Sequence, residues 1–240
     1  MHRKFVVKSV VLSAVLAALV LIFVIGKEIK RKWIVYKTLQ SPHWMERTAE
    51  IAAVKLGKCK VVFLGNSLTE LFDINYYFND SSLLNCGIVG DFSEGLLKRA
   101  DEIIELKPEK IFIEIGINDM IEQVPLEQIC KNYEALIELI KSGSPQTKIY
   151  IQSNLPVIMN RPSLLVGDKD VNELICRQNE NLMKLAEKTG STFIDLHKAF
   201  MRSGYLKDLL VKDGIHLTHK AYTIWKLSVT PYLYQADSLR

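Results

Sequence analysis

The sequence predicts an α/β fold: a three-layer sandwich with one parallel five-stranded sheet, helices on both faces, and an apolar helix ahead of it. Three observations predict it. Short runs rich in Val, Ile and Phe alternate along the chain with segments of helical spacing. The runs are short and largely apolar, as strands covered on both faces tend to be. The first forty residues stand apart in composition, with a long uncharged stretch set between basic flanks.

The elements follow in order. Residues 9–25 carry no charge, and residues 5–26 are interrupted only by Lys8. A bilayer-spanning helix needs about 20 apolar residues, and Lys8 sits near one end, where its amine can reach the interface. A cleaved secretory signal has a shorter apolar region, about 7–15 residues, and a small-residue cleavage site. Val24-Ile25-Gly26 is a poor site of that kind, so the expectation is an uncleaved transmembrane anchor over 1–26, with a cleaved signal as the alternative. Both flanks are basic: Arg3, Lys4 and Lys8 precede the run, and Lys27, Lys30, Arg31, Lys32 and Lys37 follow it. The positive-inside rule is therefore divided. The export-signal-like layout favours a folded domain on the extracytoplasmic side. Residues 27–57 read as a connector, basic and dotted with Trp33 and Tyr36 at first. Residues 44–55 then form a helix that packs on the domain.

The domain proper is expected over 58–240. Residues 60–64, 83–86, 110–115, 148–153 and 191–196 read as buried strands. Residues 93–106, 126–142 and 171–189 have helical spacing, and a last helix over 218–229 has Thr218 as its N-cap. The 240 residues suit one domain with an appendage. The net charge of +4 divides unevenly, because residues 1–37 hold +7 and the remainder −3. A mildly acidic domain excludes nucleic acid as a partner. Cys59, Cys86, Cys130 and Cys176 show no Cys-x-x-Cys spacing, which argues against a zinc or redox site. Cys130 and Cys176 read as buried small apolar groups.

Three separated segments carry the chemistry: Gly65-Asn66-Ser67-Leu68-Thr69, Gly116-Ile117-Asn118-Asp119 and Asp213-Gly214-Ile215-His216. A serine hydroxyl is a poor nucleophile until a base takes its proton, and the base works best when a third group orients it. Ser67, His216 and Asp213 fit those roles. Asn118 and the stretch Gly87-Ile88-Val89-Gly90-Asp91 offer donors for an oxyanion. Ser67, Gly90 and Asn118 each follow an expected strand, which puts them on one edge of the sheet, where such folds bind ligands. Thr69 occupies the second glycine position of a Gly-x-Ser-x-Gly elbow, so the turn is of another kind.

On these blocks the chain resembles the SGNH (GDSL-type) hydrolases, with Ser67, Gly90, Asn118 and His216 in the expected order and Asp213 in the Asp-x-x-His position. The likeness covers roughly residues 58 to 234. Residues 63–70, 151–156 and 192–196 suggest the branch that includes platelet-activating-factor acetylhydrolase and sialate O-acetylesterase-like proteins. Asn66 stands where the family usually has Asp, which keeps a short capping side chain and removes a charge. The resemblance implies a flavodoxin-like sheet and serine esterase activity, with Ser67, Gly90 and Asn118 forming the oxyanion hole. It implies no cofactor. The expected substrate is a small acyl ester, acetyl foremost, on a carbohydrate or similar polar alcohol. A lysophospholipase or thioesterase is the alternative enzyme, and a non-catalytic binding protein of the same fold is the alternative class.

Several residues have plainer readings. Ser67 alone would serve as a helix cap, and Asn118 alone as a turn cap. His216 and His219 lack a third ligand at useful spacing, so no metal is expected. Cys86 lies near the site but has no histidine beside it in sequence. Asp195-Leu196-His197 reads as structural, and Arg161-Pro162 as a solvent-facing loop.

Overall fold

A computed structural model of the chain describes residues 2–55, 57, 59–158, 165–166, 169–202, 206, 209–211 and 213–234, with the side chains of 2–12, 165, 166 and 169 outside that description. The chain divides into two compact units, Met1–Thr38 and Leu39–Arg240. The first is one helix, α1 (His2–Leu39), whose last residue begins the second unit.

The second unit opens on α2 (Pro42–Ala52), where Pro42 sits at the helix start and the Ser41 side chain caps Trp44 N. It continues through β1 (Val61–Gly65), α3 (Ser67–Glu70), α4 (Ile74–Phe78), β2 (Leu83–Gly87), α5 (Ser93–Lys98) and α6 (Ala100–Glu105). β3 (Lys110–Glu114), α7 (Ile117–Ile121), α8 (Leu126–Gly143) and β4 (Lys148–Gln152) follow. A short antiparallel pair, β5 (Leu165–Val166) and β6 (Lys169–Asp170), precedes α9 (Val171–Thr189). β7 (Thr192–Ile194), α10 (Leu196–Arg202) and α11 (His219–Leu233) complete it.

The main sheet is parallel throughout, in the order β2-β1-β3-β4-β7. Counted along this sheet alone, that is the flavodoxin-like order. Alternate residues of each strand divide two cores. Val62, Leu64, Ile111, Ile113, Ile149 and Ile151 face α5, α6, α8 and α9. Phe63, Phe112 and Tyr150 face α3, α4, α10 and α11. On that second face the three rings stack across neighbouring strands, with centroids 5.1 Å apart from Phe63 to Phe112 and 4.5 Å from Phe112 to Tyr150. Trp225 of α11 is fully buried, and its indole N–H donates to Gln152 Oε1 at 2.7 Å.

Several expectations change. The single helix expected over 93–106 breaks at Arg99, whose backbone leaves the helical region at φ −116°, ψ 22°. Its buried side chain is held by Asp91 and by the Gly65 carbonyl, so the chain turns to keep it inside. The transmembrane anchor is also corrected. Among the described residues, no helix is long and apolar enough to cross a membrane. Residues 5–12 of the expected span have side chains outside the description, and residues 13–26 would cover about 21 Å of a hydrocarbon core of about 30 Å. Lys27, Glu28 and Lys30 come immediately after. The membrane-anchored, extracytoplasmic localisation expected from that helix falls with it. Cys176 is exposed and Cys130 half-buried, so neither is the core cysteine expected.

Close backbone packing seats α3 on β2. A Cβ at Gly87 would lie 2.2 Å from Glu70 N and 2.7 Å from Glu70 Cα, both main-chain atoms that cannot swing aside. Gly87→Ala should therefore destabilise the protein by about 1–3 kcal/mol, read by urea unfolding, and should lower activity because α3 carries Ser67. A variant as stable and active as the parent would show that α3 is not pinned there.

Candidate active site

β1 ends at Gly65, a glycine because a side chain there has no room: a Cβ would meet Thr69 Oγ1 at 2.2 Å and the Glu114 carbonyl at 2.3 Å. Asn66 then leaves the strand and caps α3, its Oδ1 accepting Leu68 N at 2.9 Å. Ser67 is thereby the first residue of a helix at the carboxyl edge of the sheet, almost buried at 6% exposure.

The segment bearing His216 comes from the other end of the chain. It is a turn between Val211 and Thr218, closed by Val211 N to His216 O at 2.8 Å and Thr218 N to Leu209 O at 2.8 Å. Gly214 sits at φ +78°, a conformation that favours glycine. His216 Nε2 lies 3.0 Å from Ser67 Oγ, and His216 Nδ1 lies 2.5 Å from Asp213 Oδ2. The other carboxylate oxygen, Oδ1, accepts Ile215 N and His216 N, each at 2.9 Å. Burial pushes the Asp213 carboxyl up, but the hydrogen bond from His216 and the two backbone donors outweigh it and hold the carboxyl down at about 2. An ionised Asp213 fixes the imidazole with its Nδ1 proton inward and Nε2 free toward the serine.

The loop after β2 brings Gly90 in at φ +79°. Asn118 follows β3, and its Nδ2 donates one hydrogen to the Asp91 carbonyl at 2.9 Å, leaving its second hydrogen available. The structure thus brings together Ser67, His216 and Asp213 through direct hydrogen bonds, and ties Asn118 to the residue next to Gly90.

Sequence reasoning placed Asp91 beside the loop but missed the rest of the frame around these groups. Asp91 Oδ2 accepts Arg99 Nε at 2.9 Å, and Arg99 Nη2 donates to the Gly65 carbonyl at 3.1 Å. Burial raises the Asp91 carboxyl, against the opposing charge of Arg99 and several donors. Asp119 is buried and pushed up to about 7 by desolvation, while it accepts Ser93 N and Oγ. Glu114 is fully buried at the end of β3, its Oε1 accepting Asn154 Nδ2 at 2.9 Å, and that amide also holds the Ile115 carbonyl at 2.7 Å. For Glu114 the available signal was an acidic residue at the end of an apolar strand: a charge in such a run demands a partner.

Other candidates separate from the site. His219 Nδ1 bonds Tyr77 Oη at 2.8 Å. Among the described residues no three His, Cys, Asp or Glu side chains are grouped to hold a metal ion. Cys86 is fully buried, and desolvation pushes its thiol up to about 12, far from a thiolate at neutral pH. Asp195 caps Lys198 N at 2.9 Å. Arg161-Pro162 lies outside the described residues.

A family model for the GDSL-like lipase/acylhydrolase family matches residues 62–224. The chain belongs to this family. Its chemistry is carboxylic ester hydrolysis. The human platelet-activating factor acetylhydrolase IB subunit alpha1 is 26% identical over 171 residues, covering 68% of this chain and 71% of the relative. Among solved structures, a putative platelet activating factor from Streptococcus pneumonia aligns with TM-score 0.72 at 24% identity, covering 88% of this chain and 99% of the other. A catalytic mutant of an acetylxylan esterase from Geobacillus stearothermophilus aligns with TM-score 0.55 at 19% identity, covering 76% and 97%. These two structural likenesses bear on the fold.

The buried Glu114 makes a stability prediction. Desolvation raises its carboxyl from the usual 4.5 to about 7, with the Asn154 hydrogen bond pulling the other way. The folded state then keeps a proton that the unfolded chain has lost, so folding weakens as pH rises from about 4.5 through about 7. Glu114→Gln lacks this proton linkage. Its stability relative to the parent should climb by on the order of 2 kcal/mol between pH 4.5 and 8, measured by urea unfolding at both values. Parallel pH profiles would show that Glu114 does not carry the linkage.

Proposed function

We propose that the GDSL-family chain is a serine esterase for small acyl esters, acetyl foremost, acting through Ser67, His216 and Asp213. The observation that carries this reading is the hydrogen-bonded relay Ser67 Oγ–His216 Nε2–Asp213, at 3.0 Å and 2.5 Å. In the first half-reaction Ser67 Oγ attacks the ester carbonyl while its proton passes to His216 Nε2. Asp213 stays ionised and stabilises the imidazolium. The oxyanion is met by the N–H groups of Ser67 and Gly90 and by the second amide hydrogen of Asn118. As the tetrahedral intermediate collapses, the carbon–oxygen bond to the alcohol breaks and His216 returns the proton to the leaving oxygen. An acyl-serine remains. A water then gives its proton to His216 and attacks the acyl carbon. The second collapse breaks the bond to Ser67 Oγ, which regains the proton, and the carboxylic acid leaves.

The acetyl preference draws support from the names of relatives. The human relative is a platelet-activating factor acetylhydrolase, and the Geobacillus neighbour an acetylxylan esterase. An acetylated carbohydrate or similar polar alcohol is the proposed substrate class. Turnover of p-nitrophenyl esters from acetyl to palmitoyl, together with acetylated sugars, tests the preference. Highest kcat/KM on acetyl substrates is expected. A maximum at long chains would instead favour a lysophospholipase, and thioester preference a thioesterase. Ser67→Ala should abolish turnover of the best substrate, since losing the nucleophile of a serine hydrolase costs on the order of a millionfold. A well-folded variant retaining more than about a tenth of the activity would overturn the assignment.

Asn118→Ala separates oxyanion stabilisation from substrate binding. Loss of an oxyanion donor lowers kcat by about 10²–10³-fold, and KM should hold because the interaction strengthens only in the transition state. Steady-state kinetics that showed a rise in KM with kcat intact would make Asn118 a binding residue.

A further inference from the structure

We infer that α2, which lies outside the family-matched residues 62–224, is a positioning element for the oxyanion loop and acts chiefly through Trp44. The inference rests on the reading of Gly90 and Asn118 as oxyanion donors. Three residues of α2, at positions 43, 44 and 47, reach the segment 85–91 or its support. Positions 43 and 47 are i,i+4 and positions 44 and 47 are i,i+3, so Arg47 shares a side of α2 with each of the others. Trp44 Nε1 donates to Asp91 Oδ1 at 3.1 Å. Arg47 Nη2 donates to the Asn85 carbonyl at 3.2 Å. His43 Nε2 lies 3.1 Å from Glu70 Oε2, the oxygen that also accepts Val89 N. The start, middle and end of the loop are each tied down.

Trp44 is the tie that reaches the chemistry. Asp91 is fully buried, and its Oδ1 accepts both the indole N–H and Phe92 N. The carbonyl of the same residue accepts the Asn118 amide, and the residue before it is Gly90. A buried carboxylate that loses a donor shifts to recover one. Such a shift at Asp91 moves both Gly90 and Asn118. The turn that carries His216 lies off this path, held by its own backbone bonds.

The test is Trp44→Phe in the full-length chain, which keeps an aromatic ring in place and removes only the N–H. The expected result is about a tenfold fall in kcat, smaller than the 10²–10³-fold loss of a direct donor, with KM unchanged. Amide hydrogen exchange over residues 87–92 should accelerate in the same variant. His43→Ala, at an exposed side chain, is the second variant, and releasing Glu70 should speed exchange at Val89. Unchanged kcat, a change confined to KM, or unchanged loop exchange in Trp44→Phe would each overturn the inference. If the parent enzyme turned over no ester, the esterase reading would fail by itself. Loop exchange would then decide alone whether Trp44 holds this segment.

Discussion

The buried Asp91–Arg99 pair is the interaction on which the rest of the site depends. Both side chains are almost wholly excluded from solvent. Two opposite charges in such surroundings hold together best when their remaining hydrogen-bonding groups are occupied, and removing one partner of a buried pair typically costs about 3–5 kcal/mol. Arg99 Nη1 has no hydrogen-bond partner among the described residues, and the bonds that are made shape the site. Arg99 spends one nitrogen on the carbonyl of Gly65, the last residue of the strand before Ser67. Asp91 takes donors from Phe92 and Trp44, and its carbonyl holds Asn118. One ion pair therefore fixes the exit of β1, the loop after β2 and the turn after β3 relative to each other.

Glycines make the same arrangement sterically possible. Gly65 and Gly87 end adjacent parallel strands in register with one another, and the helix that carries Ser67 lies directly over both. Any side chain at either position would strike α3 within 2.2 Å. Ser67, the proposed nucleophile, is thus held by two kinds of constraint. Contact from below sets its height above the sheet, and the Asp91–Arg99 pair sets the position of the loops around it. His216 arrives independently on a turn near the C-terminus, so its approach rests on the local backbone bonds of residues 209–218.

How much of this was legible in the sequence follows from the range of the forces involved. The strands at 61–65, 110–114 and 148–152 were readable because strands buried on both faces must be apolar throughout, a local and strong constraint. The α8 and α9 helices were readable because each buries one stripe at helical spacing. The family was readable because its four short blocks stand in order along the chain. Short helices such as α3, α4 and α7 were not, since four or five residues carry no period. The break at Arg99 was invisible for a different reason: it answers to Asp91 and Gly65, eight and thirty-four residues away. The reading of the N-terminal segment rested on its uncharged length and its poor cleavage site. Residues 13–26, whose side chains are described, cover about 21 Å before charge begins at Lys27, short of a hydrocarbon core of about 30 Å, so hydropathy over-reached there.

Asn66 shows what the site requires beside its nucleophile. The capping bond to Leu68 N needs an oxygen acceptor on a short side chain, and an amide supplies it as an acid does. A carboxylate would add charge at a fully buried position. The neighbourhood already contains Asp91, Asp119 and Glu114, each of which burial pushes toward its protonated form. Only Asp91 among these has a cation bonded to it, and Arg99 is committed to that carboxylate and to Gly65. A further acid at 66 would meet the same desolvation. The neutral residue keeps the turn and leaves Asp213, outside this buried group, as the ionised carboxylate bonded to His216, the proposed base.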